Sequence, residues 1–200
     1  MGILGGIGSG KSSVVRRIRS PRLFIIDADK IGHNLLSDTQ IQDSLRNQFG
    51  NGIFSEPTVV DRTRLAARVF GETTAHKTAL IQLNQILHPP IRKQIRTQIQ
   101  SSHGAEAVVL DAALLLESGW QDECDWLIFV DTPTEKRQER VAVNRQWSAE
   151  ELKKREDAQW SIARKKQLAD FIVDNSGSIE DAAEQMTEVF HSILRPAEGH

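Results

Sequence analysis

The sequence predicts an α/β fold in which parallel strands are joined by crossover helices. Short apolar runs recur along the chain with helical stretches between them. The runs are apolar throughout, as expected of strands covered on both faces. Four of the five end in Asp, and open α/β sheets collect their chemistry at the carboxyl ends of the strands. The candidate strands are residues 2–5, 23–27, 107–111, 126–131 and 171–174.

The long stretch between the second and third candidate strands has helical periodicity and no convincing strand. Residues 31–104 are therefore predicted to form an inserted helical subdomain. Asp61 is expected to begin one helix of this insertion. A second helix should end at His88-Pro89-Pro90, because proline lacks the amide donor of a helix interior, and a third should follow through Ile99.

The C-terminal third contains a basic helical hairpin. Asp131-Thr132-Pro133 precedes one helix, and Ser148 with Glu151 forms the capping box of the next. Residues 136–166 carry ten Lys and Arg against five Asp and Glu, a net charge of +5. Such a hairpin can hold a small anionic ligand or be a solvated helix face of mixed charge, and the charge count does not decide between them.

The composition limits the class of protein and its surroundings. A chain of 200 residues can bury about 70% of its unfolded surface as one domain with an insertion. The net charge of −2 gives no reason to expect nucleic acid as a partner, and no apolar run reaches the ~18 residues of a membrane span. A single cysteine cannot form an intramolecular disulfide, so we expect a cytoplasmic protein. Residues 195–200 are expected to be a frayed tail, and the oligomeric state, monomer or weak homo-oligomer, is left open.

The strongest motif follows the first candidate strand. The segment Gly5-Gly6-Ile7-Gly8-Ser9-Gly10-Lys11-Ser12 fits the pattern G-x-x-x-x-G-K-[ST] and precedes a helix predicted over residues 13–19. Glycines let backbone amides curl around a phosphate, the helix N-terminus adds a partial positive charge, and Lys11 adds a full one. The Ser12 hydroxyl is a candidate Mg²⁺ ligand. The residues expected to bind ATP here are Gly6, Ile7, Gly8, Ser9, Gly10, Lys11, Ser12 and Ser13.

The motif predicts a P-loop NTPase-type fold, and the rest of the chain narrows the class. A GTPase would be expected to carry an N-K-x-D guanine motif, which is absent from the sequence. An AAA-type ATPase or a motor would be larger. A helical insertion for the acceptor and a basic hairpin as a lid over the donor phosphates are typical of a small-molecule kinase.

The motifs resemble those of one such family, dephospho-CoA kinase. The similar segments are the phosphate loop, Ile26-Asp27-Ala28-Asp29, Leu87-His88-Pro89, Leu114-Leu115-Leu116-Glu117, Arg140 with Arg145, and Ile172-Val173-Asp174-Asn175-Ser176-Gly177. They occur in the family's order across residues 2–194. The chain departs from the family at Leu4, where Thr is usual, at Ser13, where Thr is usual, and at Ala113, where Pro is usual.

The resemblance implies a five-stranded parallel sheet in the order 2-3-1-4-5. It implies transfer of a phosphoryl group from ATP to the ribose 3′-hydroxyl of dephospho-CoA, giving CoA and ADP, with Mg²⁺ bridging the β- and γ-phosphates. The single domain then divides into a core of about residues 1–30, 105–139 and 168–200, the substrate-binding insertion 31–104, and a lid over about 140–167. The alternatives are another small-metabolite or nucleoside kinase, or a non-catalytic ATP-binding regulator.

Three carboxylates are candidates for the chemistry. Asp27 and Asp29 lie two residues apart at the end of one candidate strand, so in extended geometry their side chains point the same way. The resemblance implies that Asp29 accepts the proton of the acceptor hydroxyl and that Asp27 lies near the metal. Asp29 could instead cap a helix that begins near Lys30. Asp111 is either a functional carboxylate on the magnesium or substrate side, or a strand-end turn residue.

The remaining candidates come mainly from the resemblance. On the substrate side they are Arg64, His88, Leu114 and Glu117, for which a solvated or purely structural place is the alternative. Arg137 and Arg140 share one helix face, and periodicity does not decide whether they are phosphate ligands or surface charge. The resemblance favours Arg140, as a catalytic lid residue, together with Arg145. Asn175 and Gly177 are expected along the adenine, or else form only a turn.

Overall fold

A computed structural model describes residues 1–18, 22–71 and 73–194. The predicted tail at 195–200 and the predicted helix end at Arg19 lie outside these described residues. The chain forms two compact units, one of residues 1–26 with 102–200 and one of residues 27–101. Across the described ranges, no helix combines the length and apolar character needed to cross a membrane.

The first unit carries the large parallel sheet. Its strands are β1 (Gly2–Gly5), β2 (Leu23–Asp27), β5 (Ala107–Asp111), β6 (Leu127–Asp131) and β7 (Phe171–Asp174), in the order β2-β5-β1-β6-β7. This confirms the predicted five-stranded parallel sheet and the order 2-3-1-4-5. The central strand β1 pairs in parallel with both β5 and β6. It is fully buried, as its apolar sequence requires.

The first unit also contains helices. They are α1 (Lys11–Val15), α6 (Thr134–Arg145), α7 (Ala149–Asp157), α8 (Ile162–Gln167) and α9 (Ile179–Leu194). Of these, α1, α8 and α9 contact strands of this sheet and α7 contacts α6. The core lies between the sheet and the α1–α9 pair, where Val14 and Met186 pack with Ile3 and Val130. The helix predicted over residues 13–19 is wrong in its bounds. Gly10 has a left-handed backbone, so the helix begins at Lys11, and regular helix ends at Val15.

The second unit consists of helices and one small hairpin. Its elements are α2 (Ala28–Leu35), α3 (Thr39–Phe49), the strands β3 (Phe54–Glu56) and β4 (Val59–Val60), α4 (Arg62–Val69) and α5 (Thr74–Ser101). The prediction that this segment contains no strand is wrong, because β3 and β4 form an antiparallel pair. Asp61 begins α4 as predicted, since its carboxylate accepts hydrogen bonds from the amides of Thr63 and Arg64.

The helix break predicted at His88-Pro89-Pro90 is also wrong. Helix α5 runs through both prolines as one element of 28 residues. Each proline removes a backbone donor and would cost about 3 kcal/mol in an isolated helix. Helix α5 contacts α2, α3 and α4, and it buries Leu83 before the prolines and Ile91 and Ile95 after them. Packing on both sides of the prolines offsets the local cost.

Candidate active site

At two of its positions, the loop between β1 and α1 has a backbone conformation that only glycine adopts easily. Gly8 and Gly10 have φ angles of 77° and 81°. A Cβ at Gly8 would lie 2.8 Å from the backbone oxygen of Arg137 and 2.9 Å from Cγ1 of Val141. The loop therefore lies tightly against α6, and the motif glycines are required by the fold as well as by any phosphate.

The carbonyl of Ser9 is the anchor point of this loop. It accepts hydrogen bonds from Oγ1 of Thr132 at 2.9 Å, Nη1 of Arg140 at 3.1 Å and Nδ2 of Asn175 at 2.7 Å. The three donors come from the ends of β6 and β7 and from α6. In a trans peptide the N–H points opposite to the C=O. The amide of Gly10 is therefore held facing away from the donors, as an anion-binding loop requires.

The two arginines that share the face of α6 have different surroundings. Arg140 reaches Ser9 from a partly buried position. Arg137 is only 4% exposed, and its Nη1 lies 3.4 Å from the carbonyl oxygen of Ile7. Arg137 also forms an ion pair with Glu156 of α7. The sequence could not separate the two, because an i, i+3 spacing gives both the same helical face.

Lys11 and the serines complete the loop. Nζ of Lys11 lies 3.3 Å from the carbonyl oxygens of both Gly5 and Gly6, so its charge is held across the mouth of the loop. Ser12 is half-buried in the first turn of α1 and Ser13 is exposed. Within the described ranges, no three His, Cys, Asp or Glu side chains are grouped to hold a metal. A single hydroxyl still fits Mg²⁺, which is commonly held by one or two protein oxygens with substrate phosphates and water.

The structure corrects the geometry predicted for Asp27 and Asp29. Strand β2 ends at Asp27, and Oδ1 of Asp27 accepts a hydrogen bond of 2.8 Å from the amide of Lys30. Asp27 is therefore the N-cap of α2. Asp29 lies in the first helical turn, so it is neither the cap nor part of the strand. The two side chains do not share the extended geometry that the sequence suggested, and the proton-accepting and metal roles remain predictions.

The predicted substrate residues have defined partners in the structure. In the second unit, Nη1 of Arg64 donates to the carbonyl of Phe54 at 2.7 Å and its Nε pairs with Asp61 at 3.2 Å. His88 lines a cavity of about 550 Å³ together with Arg92 and other residues of α5. Burial, followed by the nearby Arg92 charge, lowers the pKa of His88 below its usual value.

The predicted substrate residues at the end of β5 and just after it differ in their burial and contacts. Asp111 is buried at the end of β5, and Leu114 is exposed. Oε1 of Glu117 accepts a hydrogen bond from the amide of Trp160 and pairs with Nζ of Lys165, both at 2.8 Å. Glu117 thus anchors the segment leading into α8, a contact that sequence distance conceals. Its predicted substrate contact remains a prediction.

The predicted lid and adenine residues also have observed positions. Arg145 lies over the Trp147 ring, with its guanidinium carbon 4.8 Å from the ring centre. Asn175 is fully buried and donates a hydrogen bond to the phosphate loop, so it supports the conformation of that loop. Gly177 follows a turn in which Asp174 accepts a hydrogen bond from the amide of Ser176. Direct contacts of these residues with ATP stay predictions.

Comparison with known proteins gives consistent matches along the chain. A family model described as "CoaE: Dephospho-CoA kinase" matches residues 1–181. A dephospho-CoA kinase from Thermobifida fusca is 35% identical over 196 residues, which cover 98% of this chain and 96% of the relative. The dephospho-CoA kinase structure from Campylobacter jejuni has a TM-score of 0.68 at 27% identity, and the TT1252 structure from Thermus thermophilus has 0.81 at 29%. Each of these structural matches covers 96% of both chains.

Proposed function

The chain belongs to the dephospho-CoA kinase family, and we propose how its own residues carry out the ATP-dependent phosphorylation of the ribose 3′-hydroxyl of dephospho-CoA. The products are CoA and ADP. The observation that carries the proposal is the phosphate loop, whose Ser9 carbonyl is held by Thr132, Arg140 and Asn175. This anchoring presents a preformed set of amides to the phosphates of ATP.

Binding of ATP uses the loop and Lys11. Amides of Gly8, Gly10 and the first turn of α1 donate to phosphate oxygens, since a loop followed by a helix N-terminus favours negative charge. Lys11 leaves the carbonyls of Gly5 and Gly6 to meet the phosphates. Because the loop is already held in place, little ordering is needed on binding, and its dipoles are directed at the charge that develops during transfer.

Transfer needs an aligned acceptor and a group that takes its proton. The 3′-oxygen of dephospho-CoA attacks the γ-phosphorus of ATP, the bond to the bridging oxygen breaks, and ADP leaves. The hydroxyl proton passes to the carboxylate of Asp29. Support for Asp29 is the family motif Ile26-Asp27-Ala28-Asp29 and its place just after the carboxyl end of β2, the edge at which α/β enzymes bind ligands.

We place Mg²⁺ at Ser12, with Asp27 as the second candidate ligand. The hydroxyl and carboxylate oxygens of Ser12 and Asp27 are the hard ligands that Mg²⁺ prefers. Asp27 already accepts one hydrogen bond as the N-cap of α2, through Oδ1. When bound, Mg²⁺ offsets the negative charge of the β- and γ-phosphates.

Residues of about 140–167, which include the second half of α6 together with α7 and α8, act as the lid. Arg140 and Arg145 are the arginines that meet the triphosphate, and a guanidinium can form paired, charge-assisted hydrogen bonds to phosphate. The second unit binds the acceptor through His88 and Arg64. In the first unit, Asp111 at the end of β5 and Leu114 and Glu117 after it are also assigned to the acceptor. The adenine lies along Asn175 and Gly177. We place the reaction in the cytoplasm, where the single, half-buried Cys124 remains a free thiol.

An acceptor screen tests this function. The purified chain is incubated with ATP, Mg²⁺ and, separately, dephospho-CoA, nucleosides, shikimate or gluconate, and ADP and phosphorylated product are quantified. Phosphorylation of dephospho-CoA alone is expected. Lys11→Ala should abolish turnover, whereas Lys153→Gln, which removes an exposed ion pair on α7, should not. Preferred phosphorylation of another acceptor, or full activity of Lys11→Ala, would refute the assignment.

A further inference from the structure

We propose that Arg137, held by Glu156, is a positioning residue that sets the orientation of the Gly8 amide in the phosphate loop. The inference rests on the proposed function, because it concerns how this loop binds the phosphates of a nucleotide. It assigns a role to a buried ion pair outside the set of side chains proposed to touch ATP. It also makes α7, a helix of the proposed lid, part of the support of the loop.

The guanidinium of Arg137 contacts the start of its own helix, the phosphate loop and α7 at the same time. Nε donates to the carbonyl of Thr132 at 3.2 Å, and Nη2 donates to Oγ1 of Thr134 at 3.1 Å. Nη1 donates to the carbonyl of Ile7 at 3.4 Å and pairs with Oε1 of Glu156. A planar guanidinium can direct donors to several acceptors in fixed directions, which a lysine ammonium does less well.

The contact with Ile7 has a direct consequence for the next amide. The chain contains no cis peptide bond in the part that the structure describes, so the N–H of Gly8 points opposite to the Ile7 carbonyl. Fixing that carbonyl fixes the Gly8 donor. Gly6 also lies beside the guanidinium, since an added Cβ there would be 2.8 Å from Nη1 of Arg137. The guanidinium therefore supports the first half of the loop, as Arg140 and Asn175 support the second.

Glu156 keeps the Arg137 charge in this place. The two side chains are 5% and 22% exposed, and a charge buried to that degree needs a partner of opposite sign. Glu156 lies in the last turn of α7. A small cavity of about 340 Å³ is lined by Gly6, Glu156 and other residues from the end of α7 to the first turns of α8. The ion pair thus connects α7 to the loop through a single side chain.

Two variants separate positioning from stability. Arg137→Lys keeps the positive charge opposite Glu156 but cannot bond Thr132, Ile7 and Glu156 together. The double variant Arg137→Met with Glu156→Leu removes both charges, and replacing a whole buried pair by apolar side chains is often neutral for stability. In both variants the Ile7 carbonyl loses its directed donor. Lys153→Gln is the matched control, because its ion pair lies exposed on the same helix.

The measurements are the Kd for ADP, the Kd for adenosine and the melting temperature. We expect both variants to weaken ADP binding by roughly tenfold, the size of one lost charge-assisted hydrogen bond. Adenosine, which has no phosphate, should bind as it does to the wild type. The double variant should melt close to the wild-type temperature while ADP remains weakened, and the control should match the wild type throughout.

The same measurements can contradict the proposal. If either variant binds ADP within twofold of the wild type, or if adenosine weakens as much as ADP, Arg137 does not position the phosphate loop. If the ADP affinity of the folded variants follows the melting temperature alone, the role is only structural and the proposal is wrong. Failure of the proposed function would appear elsewhere, as absence of product with dephospho-CoA in the wild type, since ADP binding needs no acceptor.

Discussion

Replacement of Gly8 by alanine isolates the close approach of the phosphate loop to α6. Gly8 and Gly104 have similar left-handed φ angles of 77° and 87°. A Cβ at Gly104 would meet no atom within 4 Å, whereas at Gly8 it would lie 2.8 Å from the backbone oxygen of Arg137. Gly104→Ala therefore measures the backbone penalty alone. Gly8→Ala adds the clash, because a backbone carbonyl cannot move away unless α6 shifts.

The expected losses of melting temperature follow from the backbone penalty and the clash. The left-handed backbone costs an alanine about 1–2 kcal/mol in both variants. Overpacking adds about 1–3 kcal/mol at Gly8 only. For a chain of this length, where 1 kcal/mol lowers the melting temperature by about 2–4 °C, Gly104→Ala should lower it by roughly 2–8 °C and Gly8→Ala by roughly 4–20 °C. Calorimetric melting and ADP titration are the assays. Equal losses of melting temperature, or wild-type ADP affinity in Gly8→Ala, would refute the reasoning.

Further predictions concern the carboxylates, the lid and pH. Asp29→Asn should lower kcat by about 10²–10⁴-fold, the usual contribution of a positioned base, with ATP affinity kept. Asp27→Asn should keep the α2 cap, since Asn caps as well as Asp, so an unchanged Mg²⁺ requirement would exclude a metal role. Arg140→Lys should reduce kcat because the planar fork is lost, and an unaltered kcat would exclude a direct part in transfer. The lowered pKa of His88 means that the unfolded chain binds its proton more readily, so this contribution to stability is present above pH 6.5 and lost as pH falls below it. The urea midpoint should decrease when the pH is lowered from 7.5 to 5.5, and it should decrease by less in His88→Gln.

The sequence by itself determined the class of fold and the position of the phosphate loop. Apolar runs of strand length, each followed by helical sequence, indicate buried parallel strands. Such periodicity can be recognised within a short segment, without knowing which residues pack against it. The motif from Gly5 to Ser12 could be recognised for the same reason, since its residues are consecutive in the chain. The caps at Asp61 and Ser148 could be predicted because a cap bonds only to amides two or three residues ahead. The strand order came from the family resemblance, because pairing depends on residues far apart in the chain.

The tertiary structure decided what depends on residues distant in sequence. Arg137 and Arg140 have the same helical phase, but only the fold brings Glu156 and Ile7 to the first and leaves the second partly open. Helix α5 continues through Pro89 and Pro90 because three other helices pack along it, a free energy that local propensity does not contain. The carbonyl of Ser9 is held by side chains more than 120 positions away, since parallel strands bring their carboxyl ends to one edge of the sheet. Local pattern located the loop of the phosphate-binding motif, and long-range packing fixed the directions in which its amides point.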